Sequence, residues 1–140
     1  MALVIDAGAL YAQADAADPD HGPVRRVLEA ERETIVTTEL AVAEADYLIL
    51  DRLGPDAEAR FIDDLVTGTF VVDCLDVREI RAASDLLHRY RDLRIGLADA
   101  SLVVLASRYT TRRLLSLDER AFRAVAPLQG GAFTLLPADG

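Results

Sequence analysis

The sequence predicts an α/β protein whose mostly parallel sheet of about five strands is covered by helices on both faces. Short apolar runs alternate with longer amphipathic or apolar stretches along the chain, and this alternation is typical of βαβ units. The first run, residues 2–5, is apolar throughout, as in a strand that is buried on both faces. With 140 residues, 51% of them hydrophobic, the chain is long enough to bury one core. We therefore expect residues 1–140 to form a single domain.

Turn residues divide the first half of the chain into elements. Pro23 suits the first turn of a helix. The pair Gly54-Pro55 ends a long helix, and Gly68 follows a shorter helix before the third strand. The elements expected here, in order, are strand 2–5, helix 7–14, helix 23–32, strand 34–37, helix 39–53, helix 56–66 and strand 70–73.

The second half contains the most apolar stretch of the chain. Between Leu97 and Ala106 only Asp99 and Ser101 are polar, and a helix that is apolar all round is buried on all sides. At 1.5 Å per residue this helix, within residues 94–109, would be about 20 Å long and could cross the core. The other expected elements are an amphipathic helix at 76–91 with Val77, Ile80, Ala83 and Leu87 on one side, strand 113–117, helix 119–124 and strand 132–136.

Composition excludes several classes of protein. No apolar run reaches the roughly 18 residues that span a membrane, and the start of the chain lacks the basic segment of a signal peptide and contains Asp6. The single cysteine, Cys74, can form no internal disulfide, so we expect a buried thiol and a cytoplasmic protein. The net charge is −9, with 24 acidic residues against 15 arginines and no lysine. Such a chain attracts nucleic acid only where metal neutralises acidic residues and arginines are grouped.

Acidic residues directly follow two of the strands. Asp6 comes after the first strand and Asp118 after the fourth, and parallel sheets bind ligands beyond the carboxyl ends of their strands. Either residue is also a good helix cap. Asp99 lies in the first turn of the apolar helix, where it either caps the helix or binds a cation.

Glu44 is harder to explain as a surface charge. On the helix over residues 39–53 its neighbours three and four residues away are two leucines and a tyrosine, so it points along a mainly apolar stripe. A charged carboxylate there costs several kcal/mol unless it is paired or bound to a metal ion. It is therefore either a metal-site residue or half of a buried pair with an arginine. Asp46 and Asp51 on the same helix are expected to be solvated.

Together these four carboxylates predict a divalent-cation site. Like charges gather only where a cation lies among them, and oxygen-only ligands suit Mg²⁺, or Mn²⁺ in its place, rather than zinc. Ions held in this way activate water and stabilise the leaving oxygen when a phosphodiester is cleaved. Ser116 shares a face of its strand with Asp118. Its hydroxyl either orients an acidic residue or a water, or bonds to the backbone.

Four short motifs, taken in order, carry a family resemblance. They are Ile5-Asp6, Glu44-Ala45-Asp46-Tyr47-Leu48, Leu97-Ala98-Asp99-Ala100 and Leu115-Ser116-Leu117-Asp118. In order and spacing they resemble the motifs of PIN-domain proteins, and more narrowly of VapC toxins of type II toxin–antitoxin pairs of the mycobacterial kind. The resemblance covers essentially the whole chain. It implies a three-layer α/β/α fold and a Mg²⁺-dependent endoribonuclease that cleaves structured RNA such as tRNA or rRNA.

The resemblance also implies residue roles and partners. The metal-binding acids would be Asp6, Asp99 and Asp118. Glu44 would be the acid of the third helix, which completes the catalytic set. Ser116 would be the supporting hydroxyl. The partners implied are a second copy of the chain, in a homodimer, and a small VapB-like antitoxin that blocks the site. Toxin and antitoxin would together form a heterotetramer or a larger assembly.

Two positions depart from the family pattern. Ala7 stands where a Thr or Ser usually follows the first Asp, and Glu119 stands where a basic residue is common. The missing hydroxyl would weaken the orientation of a metal, and the added negative charge would oppose RNA binding. The alternative function is therefore a binding module of the same fold, catalytically weak or silent, that acts through its antitoxin complex. A phosphotransfer domain is set aside, because the chain lacks a lysine and has Gly8 where the phosphatase type needs a second Asp.

Arginines flank two of the motifs and are candidate RNA contacts, because guanidinium groups pair well with phosphate oxygens. Around the Asp118 motif the predicted contacts are Arg112, Arg113 and Arg120, with Arg108 and Arg123 in the same region. Ahead of the Asp99 motif the candidates are Arg89, Arg91 and Arg94. For any one of them the alternative is a solvated charge or an ion pair with one of the many acidic residues.

Overall fold

Five short strands form one sheet in the computed structural model, which describes residues 1–140. The strands are β1 Leu3–Ile5, β2 Ile35–Thr38, β3 Val71–Asp73, β4 Arg113–Leu115 and β5 Thr134–Leu136. Their order across the sheet is β3-β2-β1-β4-β5. Every neighbouring pair is parallel, so the mostly parallel sheet of about five strands is confirmed and is parallel throughout.

Seven α-helices and one 3₁₀ turn connect the strands. The helices are α1 Ala7–Ala14, α2 His21–Ala30, α3 Glu39–Leu53, α4 Pro55–Val66, α5 Val77–Arg89, α6 Leu97–Arg108 and α7 Glu119–Ala124, and the 3₁₀ turn is Arg91–Leu93. The bounds expected from the sequence agree to within about three residues, which is the usual uncertainty at the ends of elements. None of these helices combines the length and the apolarity needed to cross a bilayer.

Strand β1 lies at the centre of the sheet and is buried on both faces. Leu3, Val4 and Ile5 have no exposed surface, although consecutive side chains of a strand point to opposite faces. Helices therefore cover both faces, which gives the expected three layers. Ile5 is in register with Leu115 of β4, and the N–H of Asp6 donates to the carbonyl of Leu115 at 3.1 Å. The carboxyl ends of β1 and β4 thus lie side by side.

Helix α6 is the buried central helix that its apolar sequence predicts. All residues from Ala100 to Ala106 are buried, and the helix packs against α3, α5, β1 and β2. Its first turn is more accessible, with Leu97 41% exposed. The helix therefore begins near the surface and then enters the core.

A buried chain of hydrogen bonds joins α6 to α3. Ser101 Oγ donates to the carbonyl of Ala98 at 2.5 Å, and Thr38 Oγ1 lies 2.8 Å from Ser101 Oγ. Because Ser101 uses its own hydrogen on Ala98, Thr38 is the donor between the two hydroxyls. Thr38 also caps α3 by accepting from the N–H of Ala41 at 3.2 Å. The chain sets the relative positions of two helices that carry predicted site acids.

Replacing Ser101 with alanine should lower the free energy of unfolding by about 1–2 kcal/mol, because the buried Thr38 hydroxyl loses its acceptor. Denaturant unfolding followed by circular dichroism measures the change. Ser107→Ala is the matched control, since Ser107 is half-buried on the same helix and its hydroxyl makes no hydrogen bond within the chain. That variant should change stability by less than about 0.5 kcal/mol. Equal losses in the two variants would contradict a role for the buried chain.

The inward face predicted for α5 is wrong in its first turn. Val77 is 84% exposed and Ile80 is 47% exposed, whereas Ala83 and Leu86 are buried. A capping box, in which Asp76 and a glutamate three residues on bond to each other's backbone, starts the helix. The helix packs mainly against α6, and its buried face lies beside the predicted one. Apolar side chains are therefore left on the surface at its start.

Candidate functional site

Asp6 is held in place by bonds to both of its carboxylate oxygens. It is the N-cap of α1, with Oδ1 accepting from the N–H of Ala9 at 2.9 Å. Oδ2 accepts from the hydroxyl of Ser116. Ser116 Oγ in turn accepts from the N–H of Asp118 at 3.0 Å. Both alternatives for Ser116 therefore apply, because its hydroxyl orients an acidic residue and also bonds to the backbone.

Asp118 caps a helix and borders the site at the same time. It is the N-cap of α7, and its Oδ1 accepts from the N–H of Ala121 at 3.1 Å. The residue is exposed, and its second oxygen makes no hydrogen bond within the chain. Capping and ligand binding were posed as alternatives for Asp6 and Asp118. Capping uses only one oxygen of Asp118, so the other oxygen remains available for a ligand.

Asp99 does not cap its helix, so that interpretation is wrong. The N-cap position of α6 is Gly96, which has no side chain to bond. Asp99 lies in the first turn, is half-buried, and its carboxylate accepts no hydrogen bond from the chain. The positive end of the helix dipole favours a negative charge at this position, but the carboxylate oxygens remain available for a ligand.

Glu44 reaches the site from the solvent side, which corrects the expectation that it lies on a buried apolar stripe. The buried face of α3 is formed by Ala41, Ala45 and Ile49, and Glu44 is exposed beside that face. It forms no salt bridge, so the alternative of a buried arginine pair is also wrong. The stripe was misjudged because the small alanines, rather than the leucines, face the core.

The four predicted acids line one cavity of about 400 Å³. Its walls are formed by Asp6, Ala7, Gly8, Glu44, Asp99, Leu117 and Asp118. No arginine or histidine lines it. The structure thus brings together four carboxylates that are far apart in the sequence, without a cationic side chain among them.

Burial and neighbouring negative charges make two of these acids, Asp6 and Asp99, hard to ionise. Burial raises the pKa of Asp6 from 3.8 to about 6, with the charges of Asp118 and Glu44 adding to the rise and the bonds from Ser116 and Ala9 opposing it. Burial, followed by the charges of Asp6, Glu44 and Asp118, raises the pKa of Asp99 from 3.8 to about 7. A cation in the cavity would remove this penalty.

The donor set fits a hard divalent cation. All donors are carboxylate oxygens, which suit Mg²⁺ or Mn²⁺ rather than zinc. In the structure no three of the side chains already stand in metal-ligating geometry. A bound ion would therefore have to draw the carboxylates closer together.

Two of the predicted RNA contacts lie elsewhere. Arg113 pairs with Glu31 through two nitrogens, at 3.0 and 2.6 Å, and donates to the carbonyl of Met1. Arg112 donates to the carbonyls of Gln129 and Gly130. Both arginines are at the amino end of β4, on the opposite edge of the sheet from the cavity. They lie far from the Asp118 side of the sheet, although they are close to it in sequence, because strand β4 runs between them and Asp118.

Arg120, the third predicted RNA contact, is on the cavity side of the sheet. It lies in α7 two residues after Asp118 and is exposed. Its Nη2 donates to the carbonyl of Leu93 at 3.3 Å. No acidic side chain pairs with it.

Sequence reasoning misjudged two further side chains. Cys74 is exposed rather than buried, and its hydrogen bond with Glu39 raises the pKa of the thiol, which disfavours the reactive thiolate. Asp46 is half-buried rather than solvated, with Oδ1 buried and unbonded. A hydrogen bond with Asp46 raises the pKa of Glu58 on the neighbouring helix. Neither contact could be found from the sequence, because each depends on how two elements pack.

Comparison with known proteins shows to which family this chain belongs. A model of the PIN domain matches residues 3–128. Ribonuclease VapC26 of Mycobacterium tuberculosis is 42% identical over 135 residues, which are 96% of this chain and 100% of that protein. This identity and coverage are high enough to carry the family assignment.

Solved structures share the fold at low sequence identity. VapC20 of M. tuberculosis, described as a toxin that cleaves the sarcin–ricin loop, has a TM-score of 0.78 at 16% identity, covering 84% of this chain and 90% of that one. A toxin–antitoxin complex from Klebsiella pneumoniae has a TM-score of 0.68 at 15% identity, over 88% and 92% of the two chains. VapBC2 from Rickettsia felis, bound to a promoter DNA fragment, has a TM-score of 0.67 at 12% identity, over 96% and 97%.

The fold, the order of the acidic motifs and the close relative agree with one another. The parallel sheet brings the four motifs of the resemblance to one cavity. The chain belongs to the PIN-domain family and, within it, to the VapC ribonucleases.

Proposed function

We propose that this protein is the toxin of a type II toxin–antitoxin pair and acts as a Mg²⁺-dependent endoribonuclease on structured RNA. The observation that carries the proposal is the cavity lined by four carboxylates and no cationic side chain. Such an arrangement is unstable by itself, as the raised pKa values of Asp6 and Asp99 indicate. It becomes favourable when a divalent cation binds. The 42% identity to a protein named as a VapC ribonuclease supports the same activity.

In the proposed site Asp6, Asp99 and Asp118 hold the ion, which is Mg²⁺ with Mn²⁺ as a substitute. When bound, the ion supplies Lewis-acid chemistry that makes water more nucleophilic and stabilises the charge on the leaving oxygen. Glu44 stands on the solvent side, where its carboxylate can accept a proton from the attacking water.

Ser116 acts as a positioning residue in this proposal. Its hydroxyl bonds to Asp6 and accepts from the backbone of Asp118, so it fixes the spacing of two proposed ligands. Bonds of this kind keep ligands in the orientation that the metal needs. The hydroxyl that is usual after the first Asp in the family is absent, because Ala7 lines the cavity there with a buried methyl group.

The proposed substrate is structured RNA, of the tRNA or rRNA class. The cavity is open at the edge of the sheet, and Glu44 and Asp118 at its rim are exposed, so a looped strand can approach. The similarity to VapC20, a toxin that cleaves the sarcin–ricin loop, favours a looped RNA as the substrate of this chain as well.

The proposed partners are a VapB-like antitoxin and a second copy of the chain, in a heterotetramer or a larger assembly. Support comes from the two toxin–antitoxin complexes that share the fold. Several large apolar side chains are also exposed on helices: Tyr47 and Leu50 on α3, Ile62 and Val66 on α4, and Val77 and Ile80 on α5. Exposed apolar groups of this size favour contact with other chains.

A catalytically silent binding module is the second candidate. The observation in its favour is Ala7, which leaves the cavity without one hydroxyl. The other departure weighs less than expected, because Glu119 pairs with Arg123 at 3.0 Å and its charge is partly balanced. The silent module predicts antitoxin binding without RNA cleavage in the presence of any metal.

Removal of metal distinguishes the two candidates. Purified protein, freed of antitoxin, should cleave total RNA in Mg²⁺ or Mn²⁺ and lose the activity by about 100-fold or more in EDTA, since metal chemistry carries the reaction. Sequencing of the new RNA ends identifies the bonds that are cut. Cleavage that persists in EDTA would overturn the metal-dependent mechanism, and absence of cleavage with every metal would favour the silent module.

A further inference from the structure

Two adjoining cavities lie away from the acid cavity, among helices α1, α2 and α4. The larger has a volume of about 380 Å³ and the smaller a volume of about 220 Å³. The smaller cavity is bordered by Ile35 at the start of β2 and by Phe70, which directly precedes β3. These cavities, together called the amino-edge site, therefore lie at the amino ends of the strands, whereas the acid cavity lies at their carboxyl ends.

Gln13, near the end of α1, is a buried amide without a partner. Its side chain lines both cavities, so it stands at the partition between them. The residue is only 8% exposed, yet its amide makes no hydrogen bond within the chain. Buried amides normally have partners, because an amide without one has given up its bonds to water. An unbonded amide that lines a cavity is available to a ligand.

Asp64, on α4, stands at the same partition and also lines both cavities. It is half-buried, and its carboxylate has neither a salt bridge nor a hydrogen bond within the chain. Burial raises the pKa of Asp64, with the charge of Arg25 opposing the rise and that of Asp63 adding to it. A carboxylate held in this way gains from N–H donors. The shared wall thus offers two acceptor oxygens and an amide that both donates and accepts.

The other walls of the amino-edge site are apolar within and basic at the rim. The apolar side chains are Ala57, Phe61, Leu28, Ile35 and Phe70. Arg60 borders the larger cavity, is exposed and forms no salt bridge. Such a site suits a flat, largely apolar ligand that carries polar groups along one edge and a negative charge at its exposed end.

We propose that the amino-edge site binds the base of a guanine nucleotide. One edge of guanine carries two adjacent donors, at N1 and N2, followed by the acceptor O6. The donors match the two carboxylate oxygens of Asp64, and O6 can accept from the amide of Gln13. Adenine, cytosine and uracil lack the pair of adjacent donors. A phosphate on the ribose would extend toward the guanidinium of Arg60.

The free nucleotide, rather than a guanine within bound RNA, is the proposed ligand. An RNA strand in the acid cavity would have to pass from one edge of the sheet to the other to reach this site. The larger cavity alone falls within the range of about 300–1,000 Å³ that is usual for small-molecule sites. The inference is independent of the proposed ribonuclease function, because no residue of the acid cavity takes part in it.

Isothermal titration calorimetry of the full chain with nucleoside monophosphates tests the proposal. GMP, IMP and AMP are compared in EDTA, so that no metal ion can hold a phosphate in the acid cavity. IMP is the matched ligand, because it lacks only the 2-amino group of guanine. GMP should bind about 10-fold more tightly than IMP and at least about 10-fold more tightly than AMP, since each of these leaves buried polar groups of the site unpaired.

Two variants test the residues that contact the base. Asp64→Asn and Gln13→Leu should each weaken GMP binding by about 10-fold. Asp56→Asn is the matched control, because Asp56 is an exposed aspartate of the same helix that lines neither cavity. Gln13→Leu should melt at the parent's temperature or higher, because its amide makes no bond within the chain. A loss of binding in this variant is therefore distinct from a loss of folding.

A change of specificity gives a further readout. Xanthine carries an oxygen where guanine carries its 2-amino group, so it matches an amide donor instead of a carboxylate. Asp64→Asn should therefore bind XMP more tightly than GMP, whereas the parent should prefer GMP. A purely structural role of Asp64 would weaken binding of both nucleotides alike and would overturn its place in base recognition.

Other outcomes overturn the proposal as well. No binding of GMP at about 1 mM, or equal affinities for GMP, IMP and AMP, would remove guanine recognition. Binding of a guanine-containing RNA oligonucleotide without binding of GMP would remove the free nucleotide. If Asp64→Asn and Gln13→Leu weaken only antitoxin binding, the site serves a protein partner instead. A chain that cleaves RNA but does not bind GMP overturns this inference and leaves the ribonuclease function intact.

Discussion

Asp99→Asn should lower the rate of RNA cleavage at least about 1,000-fold without unfolding the protein. A loss of that size corresponds to about 4 kcal/mol of transition-state stabilisation, which is the size we expect if Asp99 helps to hold a catalytic ion as proposed. The substitution keeps the size of the side chain and removes one of four crowded negative charges. Because Asp99 accepts no hydrogen bond within the chain, the change breaks no contact of the fold.

The measurement is single-turnover cleavage of RNA by purified proteins in Mg²⁺, with circular dichroism as the check of folding. Asp85→Asn is the matched control, because Asp85 is an exposed aspartate on α5 and should leave the rate unchanged. Ser116→Ala should fall between the two, with a loss of about 10–100-fold, as for other residues that orient ligands. A folded Asp99→Asn protein with full activity would remove Asp99 from the mechanism.

The metal-free protein should become more stable as the pH falls from 8 to 5. Asp6 and Asp99 have folded-state pKa values of about 6 and about 7, against a reference of 3.8. At pH values between the reference of 3.8 and these folded-state pKa values, the folded state binds more protons than the unfolded state. The free energy of unfolding therefore decreases as the pH rises. The expected difference between pH 5 and pH 8 is about 2–4 kcal/mol. Acids with a lowered pKa, such as Glu31 and Glu79, lose their stabilising effect mainly below this range.

Divalent metal should reverse that dependence. Ions bind the ionised carboxylates and compete with protons, so Mg²⁺ or Mn²⁺ should raise the melting temperature more at pH 8 than at pH 5. Thermal unfolding in EDTA and in added metal, at both pH values, measures this effect. In EDTA at pH 8, Asp99→Asn should be more stable than the parent, and its stability should depend less on pH. An identical pH dependence in parent and variant would show that Asp99 titrates normally and that the acids are not crowded.

Much of the fold was predictable because its signals are local. The uniformly apolar strand at residues 2–5, the turn pair Gly54-Pro55 and the apolar stretch of α6 each set an element without reference to the rest of the chain. The alternation of elements then required a parallel sheet, and the rule for ligand binding in such sheets placed Asp6 and Asp118 at one edge. The placement of Asp6 and Asp118 at one cavity followed from strand direction alone, whereas their roles stay a prediction.

Errors occurred where the orientation of a helix depends on what packs against it. Glu44 was expected on a buried stripe, but α3 buries the alanines next to it. Val77 and Ile80 were expected on the apolar side of α5 together with Ala83, but both are exposed because α5 packs through a neighbouring face. A helical pattern of apolar residues locates the buried face only to within a residue or so. Small residues such as alanine can form that face even where larger apolar residues lie next to it.

By itself the sequence determined the order of the elements, the parallel sheet and the set of acids that could meet at its carboxyl edge, because these follow from local pattern and chain direction. Only the tertiary structure decided how those acids are held, through the hydroxyl that links Asp6 to Asp118. It also decided which arginines are free, because ion pairs form between residues distant in the chain. Arg113 is engaged by Glu31, whereas Arg94 is exposed and forms no salt bridge, and no spacing in the sequence distinguishes the two.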